Sequence, residues 1–257
     1  MKIGLDAGHG LKTAGKETPD GIKEWTLNDK VRDKVVEQLK DYDVEIVFTD
    51  NDEGNVNEGL TERRTTYVNA NVDAFVAIHH NAYTGIWNNA TGVEIYTDIN
   101  FTDADERLAK AIYKNLPNYT GLRSRGIKRA NWTVIKQDKI PAVLVEGGFM
   151  DSKNDYKIIT SEQGQLGYAK AVAEGLIEFL GLVKKQIAPQ KNFNSYTVKI
   201  TASALNVRNG VGTNHKINTV VRKGEVYTIV AEENGWGKLK SGAGWICLKY
   251  TVPFKLK

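Results

Sequence analysis

The sequence lacks three features that would fix a fold or a compartment. Cys247 is the one cysteine among 257 residues, which excludes an internal disulfide. The apolar runs, such as 142–145, are of strand length and far short of the roughly 20 residues of a membrane-spanning helix. Met1 leads within five residues to Asp6, without the about 7–15 apolar residues of a secretory signal. We therefore expect a protein made in the cytoplasm without a signal peptide and without membrane insertion.

Charge is distributed unevenly along the chain. The net charge is +4, yet residues 1–183 hold 22 Lys and Arg against 28 Asp and Glu, whereas residues 195–257 hold 10 against 3. A small basic domain favours a polyanion, and nucleic acid and anionic wall polymers both fit that description. Charge alone therefore indicates a class of partner for the C-terminal part and nothing finer.

Strand-like runs rich in Val, Ile and Phe alternate with helical patterns through residues 1–183. This alternation predicts an α/β fold with a mostly parallel sheet flanked by helices. The predicted strands are 2–6, 45–49, 74–78, 93–96, 133–136 and 142–145. A first helix is predicted to start near Leu27, with Thr26 and Asp29 in capping-box spacing, and further helices are predicted at 61–68, 104–116 and 167–180.

The pattern changes after residue 181. Residues 184–194 are polar, basic and contain a proline, as is typical of an exposed linker. Beyond them, short alternating segments at 197–200, 226–231, 237–239 and 244–248 are separated by Gly and Asn turns. We therefore predict a domain at 1–183 that is large enough to be catalytic, a linker at 184–194 and a small all-β barrel at 195–257.

Polar groups follow the predicted strands at the edge where α/β proteins bind ligands. His9 comes shortly after the first strand, His79 directly follows 74–78 and Glu146 directly follows 142–145. Glu24 stands just before the predicted helix that returns from the same edge. We expect the four side chains to lie close together.

Two neutral imidazoles and one carboxylate are typical of a catalytic zinc site that leaves a position open for water. A further carboxylate outside the ligand set is needed to move protons, and we assign this role to Glu146. Each residue alone also has an ordinary explanation: Gly8-His9-Gly10 as a tight turn, Glu24 as a residue favoured by the helix dipole, and His79 as a satisfied core or surface histidine. The joint placement favours the metal site.

These residues resemble the zinc amidases of the N-acetylmuramoyl-L-alanine amidase 3 family. The matching segments, in the order of that family, are 5–10, Glu24, 77–82, 124–128 and 141–149, together with Leu60 and Arg63. The resemblance implies His9, Glu24 and His79 as zinc ligands, with His79 preferred to His80, and Glu146 as the catalytic residue. It also implies hydrolysis of the amide between N-acetylmuramic acid and L-alanine in bacterial peptidoglycan, with no nucleic acid as partner.

The C-terminal part resembles bacterial SH3-like wall-binding domains through 204–210, 235–238 and 244–246. This resemblance implies a second contact with the wall, to peptide or to a secondary wall polymer. The whole chain then fits a phage endolysin or a bacterial autolysin acting on the cell wall. Two alternatives stay open at this point: a zinc peptidase that cuts within the peptide stem, and a peptidoglycan-binding adaptor without activity.

Overall fold

The structure, a computed structural model, describes residues 1–51, 53–56, 58–136, 139–185 and 193–254. The chain divides into two units, Met1–Lys185 and Gln186–Lys257. Most of the predicted linker, at 186–192, lies outside the described residues. Within the described ranges, no helix combines the length and the apolar composition needed to cross a bilayer.

A six-stranded sheet with helices around it forms the N-terminal unit, as the sequence predicted. Its strands are β1 (Lys2–Ala7), β2 (Glu45–Phe48), β3 (Ala74–Asn81), β4 (Val93–Asp98), β5 (Ser124–Ala130) and β6 (Ala142–Phe149). Its helices are α1 (Glu24–Leu39), α2 (Leu60–Asn69), α3 (Asp103–Tyr113), α4 (Leu116–Thr120), α5 (Asp155–Ile159) and α6 (Glu162–Leu180). The strand order is β2-β1-β3-β6-β4-β5, and β4 pairs with β6 in the antiparallel direction while the other pairs are parallel.

In the N-terminal unit, one strand assigned from the sequence was wrong and one strand was missed. The segment predicted as a strand at 133–136 contains a 3-10 helix, Thr133–Ile135, whose Val134 and Ile135 are buried. Its β-branched residues resemble a strand because burial alone produces that composition. The strand β5 was missed because its sequence is rich in Arg and Lys. It lies at the edge of the sheet, where charged residues are tolerated and protect against further pairing.

Helix α1 begins three residues earlier than predicted, so Glu24 is its first residue instead of preceding it. The capping box of Thr26 and Asp29 is wrong, because the N-cap is Lys23 and no side chain caps the helix. The other helices also differ at their ends. Helix α6 begins at Glu162 after Ser161, whose side chain accepts from Gly164 N, and α3 ends at Tyr113, before the separate helix that contains Pro117.

The two faces of the sheet are covered unequally. On the first face, alternate residues such as Val76 and Val145 join a large core cluster with α1, α3 and α6. The second face has a smaller cluster that includes Phe75 and Ala77 on β3 and Leu144 on β6. Because side chains alternate along a strand, His79 and Glu146 share this second face. The candidate site therefore lies on the second face, next to the apolar cluster and toward the carboxyl ends of β3 and β6.

The C-terminal unit is an all-antiparallel sheet. Its strands are β7 (Tyr196–Ile200), β8 (Ala204–Arg208), β9 (Ile217–Arg222), β10 (Val226–Glu233), β11 (Trp236–Leu239), β12 (Trp245–Cys247) and β13 (Thr251–Pro253), in the order β13-β7-β10-β11-β12-β8-β9. Among its described residues, eight buried apolar side chains form one core cluster. The sequence identified β7, β10, β11 and β12 and missed the other three. The strands β9 and β13 bury few side chains, so their sequences show little apolar alternation.

A buried capping box connects α3 to the sheet and gives a test of the fold. Thr102 and Asp105 cap each other's backbone at the start of α3, and Asp105 Oδ1 also accepts from Ala142 N at 2.9 Å. Replacing Asp105 with Ala removes the cap and leaves a buried N–H unpaired, so we expect a loss of about 1–3 kcal/mol in the free energy of unfolding. The exposed Asp103→Ala variant is the control, with an expected change below about 0.5 kcal/mol. Urea unfolding followed by the helical signal in circular dichroism measures both, and equal losses would contradict the assignment.

Candidate metal centre

Three side chains from different elements meet near the carboxyl ends of β1 and β3. His9 follows β1, Glu24 begins α1 and His79 lies within β3. His9 Nε2 lies 3.2 Å from Glu24 Oε2, and His79 Nδ1 lies 3.1 Å from Glu24 Oε1. One potential ligand atom from each residue lies within 4.8 Å of the other two, so the described part of the chain contains a possible metal site. The structure thus brings together the three residues that the sequence singled out.

The electrostatics of Glu24 and His9 suit metal ligands. Glu24 is 1% exposed; burial raises its pKa, but hydrogen bonds and charges from His79 and His9 outweigh this and lower the pKa overall. Burial lowers the pKa of His9, although Glu24 opposes the shift. Burial also disfavours the charge on His79, but Glu24 raises the pKa of that imidazole. Metals bind a neutral imidazole and an ionised carboxylate, the forms that these shifts favour for His9 and Glu24.

Arginine and aspartate side chains hold the loop that carries His9. The buried Arg63 donates from Nη1 to Asp6 Oδ1 at 2.7 Å and to Ala7 O at 2.9 Å, and from Nη2 to His9 O. The backbone of His9 has a φ of 70°, which lies in the left-handed region that residues other than glycine adopt less readily. Asp50 accepts from Ala7 N on the other side of the loop. These contacts stabilise the left-handed backbone conformation of His9.

Gly8 allows the two imidazoles to approach each other. A Cβ at this position would lie 2.1 Å from the ring of His79, far inside van der Waals contact. The rings of His9 and His79 pack edge to face with centroids 4.9 Å apart. Any larger residue at position 8 would therefore displace His79 from the cluster.

A second layer of polar groups orients Glu24. Asn28 Nδ2 donates to Gly8 O at 3.0 Å and to Glu24 Oε1 at 3.4 Å. The backbone N–H of His80 donates to the same carboxylate oxygen at 3.1 Å, and its ring Nδ1 donates to Asn28 Oδ1 at 2.8 Å. Burial lowers the pKa of His80 to about 4, so this ring stays neutral. Asn28 therefore links the loop of His9, the carboxylate and the neighbouring strand.

Glu146 lies beside His79 in the register of β3 and β6. It is 9% exposed, and its buried Oε2 has no hydrogen-bond partner among the described residues. Burial raises the pKa of Glu146 to about 8; the charge on His79 opposes the shift, and Glu24 and Glu94 add to it. An unbonded buried carboxyl beside a metal-ligand cluster is equipped for proton transfer.

Glu94 is the neighbour of Glu146 on β4. In contrast to Glu146, its carboxylate is fully bonded: Asn81, Tyr96, Arg125 and Lys128 all donate to it. Burial raises the pKa of Glu94, but the hydrogen bonds from Lys128 and Arg125 lower it overall. Two adjacent glutamates thus have opposite protonation preferences because only one of them has partners.

The cluster opens into a cleft of about 420 Å³. Its lining includes the four predicted residues together with Lys16, Leu60 and Trp132. Sequence reasoning did not identify Asn28, Asp50, Glu94, Lys16 or Trp132 as part of the site. For Asn28 a signal existed, since it stands four residues after Glu24 on the buried side of α1; for the others, the sequence alone offered none.

Comparison with known proteins assigns the family. The sequence model of the N-acetylmuramoyl-L-alanine amidase family matches residues 3–178. The endolysin of Bacillus phage SPP1 is 33% identical over 194 residues, which cover 74% of this chain and 70% of the endolysin. The catalytic domain of the amidase CwlV from Bacillus (Paenibacillus) polymyxa superposes with a TM-score of 0.64 and 29% identity over 70% of this chain and 98% of that domain.

A second solved structure gives the same result. The N-acetylmuramoyl-L-alanine amidase of Clostridium difficile 630 has a TM-score of 0.65 and 28% identity over 70% of this chain and 96% of its own. The residues that the family model matches, 3–178, include the cluster and Glu146. The chain therefore belongs to the N-acetylmuramoyl-L-alanine amidase family of hydrolases.

Proposed function

We propose that the protein is a zinc-dependent amidase that cleaves the bond between N-acetylmuramic acid and L-alanine in peptidoglycan. The observation that supports this most directly is the cluster of His9, Glu24 and His79 with Glu146 unbonded beside it. Family membership indicates which bond is cut. The cluster contains the types of residue that hydrolysis of an amide requires.

His9, Glu24 and His79 would hold the zinc ion. Two imidazoles and one carboxylate are a common ligand set of catalytic zinc, whereas magnesium and calcium prefer oxygen ligands alone. A bound zinc ion supplies Lewis acidity, which polarises an amide carbonyl and activates water. Asn28 and the backbone of His80 keep the carboxylate oriented toward the imidazoles.

Glu146 would move the proton that the reaction has to transfer. As a general base it accepts a proton from the attacking water, and as a general acid it gives a proton to the leaving nitrogen of L-alanine. A group whose pKa lies near neutral pH can act in both directions, and burial raises the pKa of Glu146 to about 8. Four donors stabilise the ionised form of Glu94. Glu94 would therefore bind a proton weakly, and Glu146 would carry out the proton transfer.

The C-terminal unit would act as an SH3-like wall-binding module. Its all-antiparallel sheet and its 10 basic against 3 acidic residues at 195–257 fit a small domain that binds an anionic polymer of the wall. Tethering by this module would raise the local concentration of substrate without changing the chemistry. The similarity to a phage endolysin favours lysis of the wall as the biological setting.

Digestion of purified peptidoglycan tests the proposed function. We expect free peptide stems with an L-alanine amino terminus beside uncut glycan, detected by mass spectrometry. A chelator should abolish these products and zinc should restore them, because the ligand set fits zinc. Products cleaved within the stem would support the peptidase alternative, and binding to the wall without any product would support the adaptor; either result would overturn the proposal.

Replacing Glu146 with Gln separates proton transfer from metal binding. We expect kcat to fall by about 10²–10⁴-fold, because general acid–base catalysis typically contributes this much. Zinc affinity should change little, since Glu146 is not in the proposed ligand set. Glu62→Gln, at an exposed position on α2, is the control with unchanged kcat. A Glu146→Gln variant with wild-type kcat would exclude the assigned role.

Asn28→Ala tests the second layer around Glu24. We expect zinc affinity to fall by about 10–100-fold, the usual effect of losing an outer partner of a ligand, measured by competition with a chromophoric chelator. The exposed Lys30→Ala on the same helix should retain wild-type affinity. Thermal unfolding of both variants without zinc reports any loss of fold separately. Unchanged zinc affinity in a folded Asn28→Ala protein would refute the orienting role.

A further inference from the structure

Trp132 presents an aromatic surface to the cleft of the metal centre. It lies between β5 and the 3-10 helix Thr133–Ile135, is 38% exposed and lines the cleft that also contains His79 and Glu146. Among the described residues, no hydrogen bond involves its indole Nε1, so a donor is available to a bound molecule.

The Trp132 ring is held in place from behind. Tyr96 packs against it with centroids 4.4 Å apart, and the Tyr96 hydroxyl donates to Glu94 Oε1 at 2.7 Å. The amine of Lys128 lies 5.7 Å from the Tyr96 ring centroid. A rigid aromatic ring gives contact area at little cost in conformational entropy when a ligand binds. The structure therefore contains a preformed aromatic surface at this side of the cleft.

The order of the strands separates this surface from the charged part of the cleft. Tyr96, on which Trp132 packs, is on β4, which follows β6 in the sheet order. Glu146 on β6 therefore lies between Tyr96 and the two histidines, His79 on β3 and His9 after β1. Lys16, the one Lys or Arg in the described lining, belongs to the loop after β1. Its backbone carbonyl accepts from Glu24 N at 2.9 Å, so Lys16 lies beside the metal centre. The cleft thus has a cationic side and an aromatic side.

We propose that Trp132 is a specificity-determining residue that binds the sugar ring of the N-acetylmuramoyl group. The inference rests on the proposed function, whose substrate joins an uncharged sugar to a peptide that carries carboxylates. The carboxylates match the cationic side with Lys16, and the sugar, with its apolar C–H face and its acetamido carbonyl, matches an exposed indole ring with a free N–H donor. Leu60, 55% exposed at the start of α2, adds a second apolar contact to the same cleft.

Binding of two small acids to the zinc-loaded full chain tests the proposal without catalysis. N-acetylmuramic acid and lactate present the same type of carboxylate and differ by the sugar. By calorimetry, we expect the wild-type protein to bind N-acetylmuramic acid at least about tenfold more tightly than lactate. In Trp132→Ala this preference should fall below about threefold, while Trp132→Phe should keep most of it because the aromatic face remains.

The matched control is Trp87→Ala, since Trp87 is also 38% exposed but does not line the cleft; its preference should equal that of the wild type. Zinc affinity, measured for every variant, shows whether the centre is intact. A preference for the sugar that survives Trp132→Ala, or a wild-type protein without any preference, would overturn the proposal. Weakened binding of the peptide L-alanyl-D-isoglutamine instead would assign Trp132 to the stem and also overturn it. If the proposed amidase function is wrong, the wild-type protein will not cleave peptidoglycan, and this result is distinct from the binding results above.

Discussion

The N-terminal unit depends on the burial of one carboxylate, that of Glu24, between two imidazoles. A buried carboxylate is costly unless charge and hydrogen bonds compensate for it, and Glu24 is only 1% exposed. Its contacts come from the loop after β1, from α1 and from β3. The helix, the loop and the strand must therefore be correctly placed at the same time for Glu24 to be stable, and this requirement couples the fold to the site.

Two further buried ion pairs stabilise this arrangement by holding the loop after β1. Arg63 with Asp6 fixes the loop that carries His9, and Arg32 with Asp50 connects α1 to the same loop through Ala7 N. Burying such pairs is rarely a gain in stability over apolar packing. Their value here is geometric, because they hold His9 in the left-handed backbone conformation that points its imidazole at Glu24.

The unequal covering of the sheet explains where the chemistry is. The first face is packed by α1, α3 and α6 into the main core, whereas α2 and the 3-10 helix cover only part of the second face. The uncovered part holds His79, Glu146 and the exposed Trp132. Glu146 and Glu94 are neighbours there, yet the lack of hydrogen-bond partners for one and the four donors of the other give them different chemistry. Environment, and not residue type, separates their properties.

The sequence by itself determined the α/β class and the residues that form the cluster, because strand periodicity places His79 and Glu146 at the ends of apolar runs whatever surrounds them. It did not determine that Glu24 is inside α1, since the partners that stabilise this helix start are distant in sequence. The sequence also did not identify β5, because this strand is rich in charged residues and is stabilised by its pairing with β4. Glu94 and Trp132 became part of the site only through tertiary contacts. Glu94 pairs with Glu146 between β4 and β6, and Trp132 packs on Tyr96 of β4. Local patterns report which face of an element is apolar; only tertiary packing decides which polar groups from separate elements meet, because their pairing depends on distances that no local pattern encodes.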